Sequence, residues 1–271
     1  MTRQRGRIWL LAAVMAAALG CTTTTKTTSS TLTTSSPEEK SRDEKRQDAL
    51  ANYVQVGMGY IGQRNREQAR LNLLRALEID QRSPAAHNGM ALLYQLERDP
   101  ERAEDHFRKA LRYDRNFTPA RNNYGVFLAS MERYPEALEQ FRAAAGDVNY
   151  SLRPQVFLSL GVVAARLGRA EEAREAWERA IALDPAMGAP YLELAEYHFK
   201  RADYPLAKQY LAAHGKRAKP SARSLWLEVR VEAAFGDTDA LASKGLALRK
   251  LFPYAPETLE YQQWVERRGR Q

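Results

Sequence analysis

The chain is poor in the residue types that form covalent cross-links and metal sites. It contains one cysteine, Cys21, and four histidines among 271 residues. A single cysteine excludes an internal disulfide. The histidines are His87, His106, His198 and His214. None of them stands at metal-ligand spacing from another histidine or from the cysteine, so the sequence predicts no metal site.

Catalytic and cofactor-binding signatures are also missing. The sequence contains no G-x-S-x-G motif, no P-loop and no Rossmann glycine pattern. Its many carboxylates follow the spacing of a solvated helix face, as in "EEAREAWER". We therefore expect a protein that is not an enzyme and that has neither catalytic residues nor a cofactor.

No apolar run is long enough to cross a membrane. The longest covers residues 8–20, which is 13 residues, whereas a membrane-spanning helix needs about 20. It follows Arg3, Arg5 and Arg7 and ends in small residues before Cys21. This order is typical of a secretory signal peptide over residues 1–20.

The positive charge of the chain does not indicate a nucleic-acid partner. Removal of residues 1–20 takes away three arginines and no acids, so the formal net charge falls from +8 to +5. The basic stretches "HGKRAKPSAR" and "ERRGRQ" lack interleaved aromatic residues and any known nucleic-acid motif. We interpret them as a solvated loop and tail.

The residues around Cys21 resemble a bacterial lipobox. "ALGC" places Gly20 directly before the cysteine, after the apolar segment. The resemblance implies cleavage before Cys21 and lipid on its sulfur and new N-terminus, which anchors a protein stably. Thr22 stands where aspartate favours inner-membrane retention, which implies the periplasmic face of a Gram-negative outer membrane. The alternative is an ordinary signal peptide cleaved at another site.

A tether is predicted between this anchor and the body of the protein. Residues 22–36 contain 13 threonines or serines in 15 positions. Such a segment has few apolar side chains, so their burial could not offset the entropic cost of ordering the backbone. Together with the charged stretch after it, this predicts a disordered tether and lead-in over residues 21–48.

From about residue 49 the sequence repeats with a period of 34 residues. Small residues recur at one position, namely Gly57, Ala91, Gly125, Gly161 and Ala195. A second small position follows at Ala69, Ala103, Ala137, Ala173 and Ala207. A large apolar residue comes four residues later, at Leu73, Phe107, Phe141, Trp177 and Leu211. Small residues at both positions allow two antiparallel helices to approach closely, and such hairpins must stack to cover their apolar faces.

These units resemble tetratricopeptide repeats. The resemblance implies an all-α, right-handed superhelix of about six helix-turn-helix repeats over residues 49–255. The expected units are 50–83, 84–117, 118–153, 154–187, 188–221 and 222–255. The sixth is degenerate, because Gly245 stands where a large apolar residue belongs. Residues 256–271 are expected to form a capping helix and tail.

The resemblance implies that the first helix of each unit lines a concave peptide-binding groove. The predicted lining is Val54, Met58, Ile61, Asn88, Leu92, Gln95, Asn122, Val126, Leu158 and Val162. Met58 would adapt to a ligand, and Asn88 and Asn122 would hydrogen-bond a peptide backbone. The alternative for any single residue is packing within its own helix pair.

The whole chain resembles the PilW/PilF family of type IV pilus biogenesis lipoproteins, the pilotins. The stretches "NNYG" (122–125) and "YPEAL" (134–138) are the most similar to the family. The resemblance implies a protein that binds secretin subunits in the periplasm and promotes their outer-membrane localisation and multimerisation, for pilus biogenesis and twitching motility. We expect it to act as a monomer. Two alternatives remain: a tetratricopeptide lipoprotein of outer-membrane protein assembly, and a scaffold that regulates a cell-wall hydrolase.

Overall fold

The structure is a computed structural model that describes residues 41–269. In this part of the chain the regular structure consists of thirteen helices and no strand. The predicted signal peptide, Cys21 and the tether up to residue 40 lie outside the described residues. The expected all-α fold is confirmed.

Twelve of the helices form six successive hairpins. Their first helices are α1 (Arg42–Gly62), α3 (Pro84–Glu97), α5 (Thr118–Ser130), α7 (Arg153–Arg166), α9 (Ala189–Lys200) and α11 (Ala222–Phe235). Their second helices are α2 (Arg66–Ile79), α4 (Pro100–Tyr113), α6 (Tyr134–Ala145), α8 (Ala170–Leu183), α10 (Tyr204–Gly215) and α12 (Thr238–Leu251). The last helix, α13 (Pro256–Gly269), has no second helix after it in the described chain.

Each hairpin turns through one residue in the left-handed backbone region. These residues are Arg64, Arg98, Glu132, Gly168, Ala202 and Gly236. The next amide donates to a carbonyl five residues back, as Asp99 does to Tyr94 at 2.9 Å, which closes the helix end with a Schellman-type bond. The turn residues advance by 34 residues, or 36 after Glu132. The degenerate sixth unit therefore keeps the hairpin geometry of the others.

Helix α1 begins at Arg42, seven residues before the predicted start of the repeat domain at 49. Ser41 and Glu44 form a capping box, in which each side chain accepts from the other residue's backbone amide. This arrangement satisfies amides that a helix start otherwise leaves without partners. The guanidinium of Arg46 also donates to the carbonyl of Ile79 at the end of α2. The charged stretch after residue 41 is thus part of the first repeat and not of the tether.

The first helices of neighbouring hairpins contact one another in sequence, from α1 to α11. Within residues 41–269 the second helices of neighbouring hairpins make no such contacts. This asymmetry places the first helices on the inside of the superhelix, where neighbours are closer, and the second helices on the outside. The concave face is therefore built from the first helices.

The small and large residues of the repeat meet as predicted. A Cβ added at Gly57 would lie 2.8 Å from Cγ of Leu73, and one at Gly125 would lie 2.8 Å from Cε1 of Phe141. Both distances are shorter than a van der Waals contact. The large side chains are almost completely buried, with Phe141 at 1% exposure. The glycines at these positions are thus required by the bulk of the side chain opposite.

The sixth hairpin reverses this arrangement. Val229 on α11 replaces the small residue and is fully buried, while Gly245 on α12 replaces the large one. The phenol of Tyr261 on α13 lies where a Cβ of Gly245 would be. Tyr261 also packs with Trp226 and Trp264. The capping helix therefore supplies the large side chain that α12 lacks.

Candidate binding surfaces on the concave face

The ten predicted lining residues all lie on α1, α3, α5 and α7, the first helices of the first four hairpins. We call this surface the N-terminal groove. Val126 and Val162 are its most open apolar members, with 49% and 38% of their surface exposed. They occupy equivalent positions of successive repeats. Two exposed valines in register on the inner face form an apolar strip that no other part of the described chain covers.

Other apolar members form the floor of this groove. Ile61, Leu92 and Leu158 are half-buried against the main hydrophobic core. Val54 packs against a smaller cluster around Leu50 at the N-terminal end. Met58 is also half-buried. These residues both pack within the repeats and present part of their surface to the groove.

The two predicted asparagines differ in how open they are to the groove. Asn88 is only 4% exposed, and its Oδ1 accepts a hydrogen bond from Nδ2 of Asn123 at 3.0 Å. This bond joins α3 to α5, so Asn88 does not lie open in the groove as expected. Asn122 is half-buried on α5. The amide group of Asn88 thus stabilises the stacking of the hairpins.

A small cavity of about 280 Å³ lies at one edge of the N-terminal groove. It contains the predicted residue Gln95 together with Phe127 and Met131 of the next repeat. Met131 is 48% exposed. The flexible side chain of Met131 would therefore give a ligand an apolar contact beside the polar side chain of Gln95.

A larger pocket of about 670 Å³ opens on the concave face of the fourth to sixth hairpins. We call it the C-terminal pocket. Its apolar floor is formed by Val162, Ala165, Ala170, Ala173 and Trp177. Its charged or polar walls are formed by Arg166, Glu193, Glu196, Tyr197, Lys200, Arg201 and Arg223. Val162 belongs to both surfaces, so the two are continuous.

An ion-pair network crosses this pocket from α9 to α11. Arg223 binds both oxygens of Glu193, at 2.6 and 2.8 Å, and also contacts Glu196. The bond to Glu193 is the main reason that the pKa of Arg223 is raised. Burial opposes the charge of Glu196, but Lys200 and Arg223 outweigh it and lower the pKa of that carboxyl. Both carboxylates are therefore paired with cations.

A second network lies at the rim of the pocket. Glu171 accepts hydrogen bonds from Tyr197, Arg174 and Arg201. These bonds lower the pKa of Glu171 to about 2. The guanidinium of Arg201 also stacks over the ring of Tyr197, 4.3 Å from its centre. The network joins the fourth hairpin to the fifth.

The structure brings together two histidines that the sequence did not pair. His87 on α3 and His106 on α4 have their Nδ1 atoms 2.9 Å apart. Nε2 of His87 lies 3.1 Å from the carbonyl oxygen of Gln81. A carbonyl only accepts, so His87 carries its proton on Nε2 and its Nδ1 accepts from the Nδ1–H of His106. Within the described residues, this pair does not belong to any group of three or more His, Cys, Asp or Glu side chains that could hold a metal ion.

Sequence reasoning did not assign the C-terminal pocket, although one signal for it was present. Glu196 and Lys200 stand one repeat after Val162 and Arg166, so the period alone places all four on the concave face. No such indication in the sequence pointed to Arg223. This residue lies in the first turn of α11, and its side chain contacts Glu193 of the preceding hairpin.

The predicted lipidation site, Cys21, lies outside the described residues. Among the helices within residues 41–269, none has the length and apolar content to cross a membrane.

Comparison with known proteins defines the family. Residues 84–117 and 154–186 each match a model of the tetratricopeptide repeat. The type IV pilus assembly protein PilF of Pseudomonas aeruginosa is 37% identical over 220 residues, which cover 81% of this chain and 87% of PilF. The chain belongs to the PilF/PilW family of tetratricopeptide type IV pilus biogenesis proteins.

Solved structures of this family have the same fold. The structure of Pseudomonas aeruginosa PilF matches with a TM-score of 0.76 and 36% identity, over 81% of this chain and 99% of that one. The structure of PilW, a widely conserved type IV pilus biogenesis factor, matches with a TM-score of 0.69 and 25% identity, over 79% of this chain and 98% of that one. As a PilF/PilW family member, the protein has a role in type IV pilus biogenesis, and its repeats mediate protein–protein interactions.

Proposed function

We propose that this protein is an outer-membrane lipoprotein that binds subunits of the type IV pilus secretin in the periplasm. It promotes their localisation to the outer membrane and their assembly into multimers, and pilus biogenesis and twitching motility depend on this step. The observation that carries the proposal is the exposed apolar strip of Val126 and Val162 on the concave face of a PilF/PilW family member.

The N-terminal groove is suited to a segment of a partner chain. Neighbouring first helices lie roughly 10 Å apart, so α1, α3, α5 and α7 together span roughly 30 Å. An extended strand rises about 3.3 Å per residue, so the groove would hold about nine residues of a partner. Apolar side chains of that segment would cover Val126 and Val162, and Gln95 would bind its backbone at the edge.

The lipid anchor and tether explain how such a binder would promote assembly. Lipid on Cys21 would hold the protein at the membrane surface, and the predicted tether of about 15 residues would span roughly 20 Å. Subunits bound to the groove would be confined to a thin layer beside the membrane. Confinement raises their effective concentration and thereby favours multimers.

A deletion strain tests the proposal directly. We expect loss of twitching and accumulation of secretin as monomers, because subunits would no longer be concentrated at the outer membrane. Semi-denaturing electrophoresis of membrane fractions measures the multimer, and complementation with the wild-type gene is the control. Normal secretin multimers in the deletion strain would refute the proposal.

The anchor is tested separately with Cys21→Ala. Cells that express the wild-type protein should incorporate radioactive palmitate into it, and cells with the variant should not. The wild-type protein should also fractionate with the outer membrane. Palmitate label retained on the variant would exclude Cys21 as the lipidation site.

A further inference from the structure

The C-terminal pocket has the composition of a binding site and does not overlap the apolar strip except at Val162. It is about 670 Å³ in volume and its floor is apolar, as is typical of pockets that bind a ligand through a few placed polar groups. Trp177 forms part of the floor and is only 4% exposed. The floor is therefore held rigidly by the core of the fourth hairpin.

The charges that line the pocket do not balance. Four cations, Arg166, Lys200, Arg201 and Arg223, face two carboxylates, Glu193 and Glu196. Both carboxylates are occupied by Arg223, and Glu196 is in addition paired with Lys200 at 2.9 Å. Arg201 is in turn paired with Glu171 at the rim of the pocket, so among the described residues Arg166 is the lining cation that has no carboxylate partner.

Two of the cations remain accessible to a ligand. Arg166 is exposed at the end of α7, and its side chain has no hydrogen-bond or ion-pair partner within residues 41–269. The side chain of Lys200 is 71% exposed although it contacts Glu196. These two residues occupy equivalent positions of successive repeats and so stand side by side along the concave face.

We propose that the C-terminal pocket binds an acidic peptide segment, with an apolar side chain of the segment against Val162 and Ala165 and an adjacent Asp or Glu carboxylate between Arg166 and Lys200. Charge complementarity selects the acid, since Arg166 has no carboxylate partner among the described residues, Lys200 is exposed beside it, and both lining carboxylates are already paired. The apolar floor selects a segment in which an acidic residue neighbours an apolar one. The site shares Val162 with the N-terminal groove, but its charged wall, which selects the acid, lies outside that groove.

The test uses a fluorescein-labelled peptide with blocked ends in which leucines alternate with glutamates, and a control peptide with glutamine in place of glutamate. The protein is the full chain with Cys21→Ser, so that no lipid is attached, kept in mild detergent. Fluorescence anisotropy should report binding of the glutamate peptide at low salt and weaker binding near 1 M salt, where charges are screened within about 3 Å. The glutamine peptide should bind at least about tenfold more weakly, the equivalent of about 1.4 kcal/mol.

Variants locate the site. Arg166→Glu combined with Lys200→Gln should lower the affinity for the glutamate peptide about tenfold. Arg179→Glu is the matched control, since Arg179 is exposed on α8 outside the pocket, and it should leave the affinity within about twofold. Met58→Glu in the N-terminal groove should also leave it unchanged. Equal binding of both peptides, equal losses from Arg179→Glu and the pocket variant, or no binding at all would each overturn the proposal.

Discussion

The phenol of Tyr261 fills the space beside the Cα of Gly245, so the helix after the last hairpin completes the packing of that hairpin. In the earlier repeats the large side chain comes from the second helix of the same hairpin, as Trp177 does against Gly161. In the sixth it comes from α13. Tyr261 is 8% exposed and belongs to the same core cluster as Val229 and Leu248. The capping helix α13 thus supplies the large side chain that completes the packing of the last hairpin.

This relationship predicts that Gly245→Ala destabilises the protein. The added methyl group would displace the ring of Tyr261, and overpacking of this kind costs about 1–3 kcal/mol. The gain of alanine over glycine in a helix offsets up to about 1 kcal/mol. Urea unfolding followed by circular dichroism measures the difference.

The matched control is Gly59→Ala on α1, where an added Cβ meets no atom within 4 Å. Here only the helix propensity changes, so we expect stability to be equal or greater by up to about 1 kcal/mol. Equal effects of the two substitutions would show that Tyr261 does not press on Gly245.

The hairpin turns predict a pair of substitutions with opposite effects. Gly168 and Ala202 occupy the same turn position in successive repeats, with φ of 73° and 61°. Alanine in this backbone region costs roughly 1–2 kcal/mol more than glycine does. Gly168→Ala should therefore lower the free energy of unfolding, and Ala202→Gly should raise it by a smaller amount, because glycine also gains freedom in the unfolded chain. Thermal unfolding of both variants measures this, and shifts of the same sign would contradict it.

The N-terminal groove predicts a loss of binding without a loss of fold. Val126→Glu places a charge at a residue that is 49% exposed, so the helices should form normally. Its affinity for purified secretin should fall at least about tenfold, since an apolar contact at the centre of an interface is replaced by a charge. Val148→Glu is the control, because Val148 is 70% exposed and lies outside the groove. Affinity equal to that of the control would argue against this surface.

The pair of His87 and His106 predicts a loss of stability at acid pH. Burial lowers the pKa of both, and for His106 burial, then His87 and Lys109, lower it to about 4. Asp105 partly opposes this shift. An unfolded histidine has a pKa near 6.5, so between about pH 6.5 and pH 4 the unfolded chain binds protons that the folded chain does not. Stability is therefore complete above pH 6.5 and falls by about 1–3 kcal/mol toward pH 4.

Urea unfolding at pH 7 and at pH 4.5 measures this change. His106→Asn is the control, because its side-chain amide can still donate to Nδ1 of His87 but does not titrate. The variant should lose less stability than the wild type over the same interval. An identical loss in both would mean that other groups cause the acid sensitivity.

Much of the fold follows from the repeat period. The spacing of Gly57, Gly125 and Gly161 from the large residues opposite predicted the helix hairpins and their stacking, because close approach of two helices demands small side chains. Helix α1 begins seven residues before the predicted start of the repeat domain at 49, because Ser41 and Glu44 form a capping box within "SRDE", a stretch that the sequence alone assigns to the charged lead-in.

The sequence by itself determined the repeat architecture, the inner face of each first helix and the family. Only the tertiary structure decided what the side chains on that face do. Asn88 binds Asn123 of the next repeat, and Arg223 reaches Glu193 across the stack. Tyr261 takes the place of a missing residue on another helix. These contacts join residues about 16 to 35 positions apart on different helices, and a periodic pattern specifies which face a residue occupies but not which neighbour it meets.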